Sequence, residues 1–389
     1  MARIYLDARS ANSTTSGVGR YAAALIDELA LQQPTHEYIV VGGRQVVERI
    51  GARGLRGVEA GGSGSVGLAL SRPLLSKAFG QFGPPDLYHA LFHIVPYGIR
   101  IGAHAPARVV VTLHDLIWID HAEMVATNQL TAAWRRTVGS ALIPYALTTA
   151  DHAICNSEAT AARASDWLPE SRRSVVHMGV GSDFLAGAEE EAQTTAPELR
   201  RTPAARYITA FGVAKPYKNI TTLVSAFAGV RREHPDVRFV LLGGDGGARA
   251  DIARLRLEDA VDVMAHVSDA DLRAVIRGAQ AHVVPSVVEG FGLPVLEAMA
   301  LGTPVVTSDA DALREVAGDA ALSVRATDVS ALTTALSRLL VNRELRERLS
   351  AAGRARARQF TWSRTAAGTL AVYDRVLGGS TPPPVSRQS

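Results

Sequence analysis

The chain has 389 residues, 47% hydrophobic and 20% charged, with 34 Gly, 9 Phe and one cysteine. That length holds two domains with full cores at ~150 residues each, and the composition excludes a disordered chain and suits a turn-rich α/β protein. Cys155 alone rules out an intrachain disulfide, a thiolate zinc site and an iron–sulfur cluster, which favours the cytoplasm. The formal charge of +3 permits attraction to phosphates or anionic lipid without requiring it. Arginines crowd positions 343–358, but Glu344 and Glu347 interrupt them, the pattern of a solvated helix face, so nucleic acid is not expected as a partner.

Met1-Ala2-Arg3-Ile4 enters a strand at once, without the apolar run of a signal peptide, and no stretch is apolar enough to span a bilayer. Short apolar runs then alternate with helical patterns, which predicts parallel βαβ construction. In the first half, strands are expected at Ile4–Leu6, Tyr38–Val41, Leu87–His89, Val109–Leu113, His152–Cys155 and Val175–His177. In the second half they are expected at Tyr207–Phe211, Phe239–Leu242, Val261–Met264, Ala281–Val284 and Pro304–Thr307. Glycine-dense Gly51–Val66 reads as a mobile loop, Ala186–Pro203 as a linker, and Gly378–Ser389, with three consecutive prolines, as a disordered tail. The domains predicted are 1–183, 184–360, a helix 361–377 returning to the first domain, and the tail 378–389.

Several segments carry chemistry. Ser16-Gly17-Val18-Gly19-Arg20-Tyr21 leads from the first strand's polar loop into a helix expected over Tyr21–Leu31. Gly17 and Gly19 let a phosphate or sugar approach the backbone at the edge where open α/β sheets bind ligands, the plainer alternative being glycines needed only for positive φ. The strand ending at Leu113 delivers His114 and Asp115 to that same edge. His114 is singled out by this placement, with Asp115 as its support, whereas His89, His93, His104, His121 and His152 read as satisfied structural groups.

After Phe211 comes Gly212-Val213-Ala214-Lys215-Pro216-Tyr217-Lys218, a cationic loop. An ammonium held there at Lys218 would stabilise a departing phosphate more in the transition state than in the ground state. Gly243 opens a glycine turn, Gly243-Gly244-Asp245-Gly246-Gly247, distinct from the G-x-G-x-x-G fingerprint. Val267 precedes a capping box formed by Ser268 and Asp271. The Asp-Ala-Asp triplets at 269–271 and 309–311 are not read as metal ligands.

The densest signal is Glu289-Gly290-Phe291-Gly292-Leu293-Pro294-Val295-Leu296-Glu297. An apolar strand precedes it, and Pro294 falls in the slot where proline opens a helix. The amides of Phe291, Gly292 and Leu293 then form an anion site, and Gly290 and Gly292 permit close approach. Glu289 guards the entrance, and Glu297, expected in the helix's first turn, can accept paired hydrogen bonds from a diol such as ribose. The plainer reading is a strand-loop-helix with a surface glutamate at each end.

This run resembles the E-x7-E segment of retaining glycosyltransferases of family 4, and the other segments align in order over nearly the whole chain. The resemblance implies an α/β protein of GT-B fold: two facing Rossmann-like domains with parallel sheets and an interdomain cleft. It implies catalytic roles for Glu289, His114 and Lys218. Donor binding would fall to Gly17, Gly19, Gly212, Lys215, Lys218, Gly243, Val267, Glu289, Gly290, Phe291, Gly292, Leu293 and Glu297. The implied reaction moves a hexose from a nucleoside diphosphate sugar to a hydroxyl of a glycan, lipid-linked or small-molecule acceptor. No metal or other cofactor is expected. Peripheral contact with the inner face of a membrane is left open. The N-terminal motifs look most like bacterial mannosyl- and rhamnosyltransferases of polysaccharide or glycoconjugate assembly, which favours GDP-mannose and leaves UDP-glucose, UDP-N-acetylglucosamine and dTDP-sugar donors open. Val213 and Tyr217 stand where relatives carry cations, with Lys215 as a replacement, and Asp311 and Arg314 stand near a usual glycine and proline. A GT-B epimerase and a silent nucleotide-sugar-binding subunit are the rival readings.

Overall fold

A computed structural model describes residues 1–11, 16–33, 36–61, 64–126, 129–186 and 206–378. The linker expected over Ala186–Pro203, after its first residue, and the tail from 379 onward lie outside the described residues. The chain divides into two compact units, the first formed by Met1–Ala122, Asn128–Gly179 and Trp362–Ser389, the second by Glu123–Thr127 and Val180–Thr361.

Among the described residues of the first unit, seven strands make one parallel sheet: β1 (Arg3–Asp7), β2 (Glu37–Gly42), β3 (Arg56–Glu59), β4 (Leu87–Ala90), β5 (Arg108–Leu113), β6 (His152–Cys155) and β7 (Arg173–Val175). Their order is β3-β2-β1-β4-β5-β6-β7. Val109, Val110 and Val111 in β5 are all fully buried, because helices crossing between parallel strands cover both faces of the sheet. That is why these strands read as continuous apolar runs. Strand β3 corrects the expectation of a loop over Gly51–Val66: Arg56-Gly57-Val58-Glu59 is a half-exposed edge strand whose side chains give no apolar run. Strand β7 lies two residues before its expected position, at the sheet's other edge.

In the second unit, β8 (Tyr207–Phe211), β9 (Arg238–Leu242), β10 (Val261–Met264), β11 (Ala281–Val284), β12 (Val305–Ser308) and β13 (Ala321–Val324) form a parallel sheet of order β10-β9-β8-β11-β12-β13. Strand β13 was not expected, being short and largely uncovered at the edge. Ser268 accepts a hydrogen bond from the Asp271 amide at 3.1 Å and so caps the helix Asp269–Gly278 as the capping box requires. In the helix Arg343–Ala357, Arg343 pairs with Glu347 one turn away at 2.6 Å. Arg354 and Arg356 instead serve backbone carbonyls of Leu301, Glu315 and Val316, so this arginine-rich helix is not solvated throughout.

The helix Trp362–Leu377 belongs to the first unit. Thr365 donates to the His177 carbonyl at 2.8 Å, and the buried Tyr373 hydroxyl shares a 2.6 Å hydrogen bond with His89. Under the first sheet's carboxyl edge, Asp7 and Arg9 form a buried ion pair that also receives the Tyr88 hydroxyl. Burial opposes ionisation of Asp7, but the Arg9 charge and hydrogen bonds from Arg9 and Tyr88 outweigh it and hold the carboxyl below the usual range. Among the described residues, no helix is long and apolar enough to cross a membrane.

The turn after β8 meets the turn after β9 at van der Waals limit. A Cβ on Gly212 would lie 1.8 Å from the Gly244 carbonyl oxygen, and Gly246 donates to the Gly212 carbonyl at 3.1 Å. Gly212→Ala should therefore destabilise the protein by about 1–3 kcal/mol or more through overpacking, measured as a fall in Tm. Gly51→Ala, where a Cβ meets open space, is the control and should leave Tm nearly unchanged.

Candidate functional site

In the second sheet the chain builds outward from β8 through β9 to β10, then returns to the other side of β8 with β11. Where strand order reverses, the loops at the carboxyl ends part and leave a crevice, the usual ligand site of open α/β sheets. The loops that flank it are 212–219 and 285–292. Lys218 Nζ from the first and Glu289 Oε1 from the second meet at 2.6 Å, and Ser286 donates to the same oxygen at 2.7 Å. The two side chains keep 20% and 12% of their exposure, so the pair is shielded yet reachable. Asn219 holds the loops together: its backbone is left-handed, and its side-chain amide donates to the carbonyls of Pro285 and Ala326 at 3.1 and 2.7 Å. The Val287 amide adds a bond to the Tyr217 carbonyl at 2.8 Å.

From Glu289 the chain turns into the helix Leu293–Ala300, with Pro294 in its first turn. Gly292 has φ of +122°, a conformation that a side chain would strain. Phe291 is buried and packs edge-on against Phe360. Glu297 corrects its expected position: it is the fifth helical residue, in the second turn, and only 3% exposed. Gly243 and Gly244 both take positive φ in the turn after β9, and Asp245 accepts the Gly247 amide there. Val267 is half-buried ahead of the Ser268 cap. Lys215 shares the loop of Lys218 but makes no side-chain bond among the described residues.

The first sheet has the same reversal between β1 and β4. The helix after β1 starts at Gly17 rather than Tyr21, and Ser16 caps it by accepting the Gly19 amide at 3.0 Å. Gly17 and Gly19 are therefore the opening residues of a helix, neither with positive φ. Beyond β5, His114 is buried, and Tyr21 of this helix packs edge-on against its ring at 4.9 Å. The carbonyl of Leu91, not Asp115, holds His114 Nε2 at 3.0 Å, while Asp115 accepts the Ile117 amide. Behind them runs a buried hydrogen-bonded chain, Tyr21–Thr112–His89–Tyr373.

His89 is satisfied on both ring nitrogens by that chain, in keeping with a structural role. His93 is not: it is 2% exposed, and among the described residues neither ring nitrogen has a hydrogen-bond partner. An unsatisfied buried polar group costs about 1–3 kcal/mol, so His93 departs from the satisfied histidine expected. Its place just after β4 was the one sequence signal, and four other histidines diluted it.

Each unit is thus a parallel Rossmann-like sheet with polar groups at the reversal of strand order, and the solved structures similar to the chain have the GT-B fold. Sucrose-phosphate synthase from Thermosynechococcus elongatus matches with a TM-score of 0.74 at 20% identity, over 98% of this chain and 100% of that one. Anabaena HepE in complex with UDP-glucose matches with a TM-score of 0.69 at 17% identity, over 96% and 100%. Residues 15–184 fit the model of Glycosyltransferase Family 4 and residues 193–356 that of Glycosyl transferases group 1. The chain belongs to the family 4 type of GT-B glycosyltransferases. It is 42% identical over 170 residues to the MMP alpha-(1->4)-mannosyltransferase of Mycolicibacterium hassiacum, a match spanning 42% of this chain and 41% of that relative's length. It is 28% identical over 375 residues to the O-antigen chain mannosyltransferase B of Escherichia coli, covering 92% of this chain and 96% of that one.

The imidazoles set a pH dependence. Burial pushes His114 down to about 4, against the Leu91 carbonyl that favours its charged form, and pushes His89, His93 and His282 down to about 3. An unfolded chain takes up these protons near the ordinary value of 6.5, so the stabilisation from keeping the rings neutral is complete above that pH and is lost as pH falls toward about 4 for His114 and about 3 for the other three. Tm should fall as pH is lowered across this window, and His114→Asn should lessen the fall in a scanning calorimetry series.

Proposed function

We propose that this chain is a retaining hexosyltransferase that takes its sugar from a nucleoside diphosphate donor, GDP-mannose in preference, and passes it to a hydroxyl acceptor without a metal ion. The observation that carries the reading is the Lys218–Glu289 pair at the β8/β11 crevice, beside the helix beginning at Leu293. Lys218 and the amides at Gly292 and Leu293 face the developing charge of the leaving diphosphate. Glu289 orients the donor sugar, and the buried Glu297 accepts the ribose diol. His114, a neutral imidazole, hydrogen-bonds a sugar hydroxyl.

The bond from the anomeric carbon to the diphosphate breaks while the bond to the acceptor oxygen forms on the same face. The acceptor proton passes to the departing phosphate oxygen. This route needs no enzymic nucleophile of the kind that retaining glycosidases use. Support for a nucleotide sugar comes from the UDP-glucose complex of a protein of the same fold. Support for mannose comes from the two mannosyltransferases named above. The acceptor class remains a glycan, lipid-linked or small-molecule hydroxyl, with the protein acting in the cytoplasm or at the inner face of a membrane.

Purified protein without added metal should release nucleoside diphosphate from one of GDP-mannose, UDP-glucose, UDP-N-acetylglucosamine and dTDP-rhamnose, and Glu289→Ala should abolish the release. Binding without release from any donor, with or without a sugar acceptor, would favour a silent binding subunit, and conversion of donor to an isomer would favour an epimerase. Lys218→Ala should lower turnover by ~10²-fold or more, as loss of one oxyanion-hole donor does. Unchanged turnover in that variant would remove Lys218 from the site.

A further inference from the structure

His93 stands at the reversal of strand order in the first sheet, three residues beyond the end of β4 and in the same crevice edge as His114. Its ring lies against Phe92 with centroids 3.7 Å apart, and Phe92 in turn lies 6.1 Å from the ring of His114. Trp118 meets the same ring edge-on, with centroids 6.1 Å apart. Phe92 and Trp118 are only half-buried, whereas His93 is buried. His89 and His152 show how this unit treats a structural histidine. The first has both nitrogens bonded, and the second bonds Ser174 through Nε2 at 2.9 Å while its Nδ1 has no partner among the described residues. Among the described residues, His93 alone of this unit's buried histidines has both nitrogens unpartnered.

A neutral imidazole offers one donor and one acceptor. Burial pushes His93 down to about 3, so it carries no charge for a phosphate near neutral pH. The complementary ligand is a group that both donates and accepts without charge, and a sugar hydroxyl is such a group. The half-buried aromatic rings of Phe92 and Trp118 next to His93 suit the C–H surface of a pyranose. We propose that His93 is a second sugar-binding residue, hydrogen-bonding a hydroxyl of a sugar that enters the β1/β4 crevice beside His114. This rests on the transferase reading. The sugar is either that of the donor or that of the acceptor, and the two sources separate by experiment.

The full-length protein and its His93→Phe and His93→Asn variants are titrated with GDP-mannose, UDP-glucose, UDP-N-acetylglucosamine and dTDP-rhamnose and with their parent diphosphates. Donor cleavage is then followed with and without methyl α-mannoside and methyl α-glucoside as acceptors. If His93 holds the donor sugar, His93→Phe weakens binding of the nucleotide sugar by roughly 3–10-fold, the loss of one uncharged hydrogen bond, and leaves binding of the diphosphate unchanged. If it holds the acceptor sugar, donor binding and cleavage in water persist, and KM for the acceptor rises by a similar factor. His93→Asn, which keeps a donor and an acceptor, recovers part of either loss and serves where the phenylalanine variant does not fold. Wild-type donor binding and acceptor KM in His93→Phe, together with a higher Tm, would overturn the proposal, since the ring would then be an unsatisfied core group and nothing more. A wild-type protein that neither binds nor cleaves any donor fails at the earlier step and overturns the transferase reading along with this one.

Discussion

The parallel sheet is the constraint on which the site depends. Every strand must return to the same end by a crossover, so all carboxyl ends, and all the loops that leave them, gather on one edge. Where the strand order reverses, successive crossovers go to opposite sides and the two loops between them are left without a helix to cover them. In the second unit those are the loops after β8 and β11, and in the first those after β1 and β4. Lys218 and Glu289 come from the former pair, and Leu91, which holds His114, follows one of the latter. No local preference of the residues accounts for their meeting.

Loops that carry function must still be held, and here backbone contacts do the holding. Gly212 and Gly244 pack so closely that no side chain fits between them. Asn219 takes a left-handed conformation and ties the loop after β8 to those after β11 and β13. Such support fixes a cation and a carboxylate in place before any substrate arrives, which is the condition for electrostatic stabilisation without reorganisation. Lys218 and Glu289 also restrain each other, so that neither charge is left partly buried alone.

The two units differ in electrostatic character. The second presents a cation, carboxylates and helix amides, groups suited to a charged diphosphate and a diol. The first keeps His89, His93 and His114 buried and neutral, with hydroxyl groups of Tyr21, Thr112 and Tyr373 beside them. Neutral donors and acceptors discriminate among sugar hydroxyls without attracting phosphate. Under the proposed reaction, this separates the part that drives departure of the leaving group from the part that positions a sugar.

Much of this was legible in the sequence. Apolar runs marked β1, β2, β4, β5 and β6 and five strands of the second sheet, because strands buried on both faces have no polar alternation to obscure them. The run from Glu289 to Glu297 declared its turn through glycine and its helix through Pro294. Edge strands β3 and β13 escaped notice because Arg56-Gly57-Val58-Glu59 and Ala321-Leu322-Ser323-Val324 are broken by charged or small polar residues, whereas the edge strand β10 was marked by Val261, Val263 and Met264. The helix start at Gly17 escaped because two glycines mask the capping role of Ser16. Only tertiary structure decided which polar groups are satisfied. That Leu91 holds His114, that Glu297 is buried, and that His89 is paired while His93 is not all depend on neighbours distant in sequence, and hydrogen bonding is short-ranged and directional, so no local pattern records it.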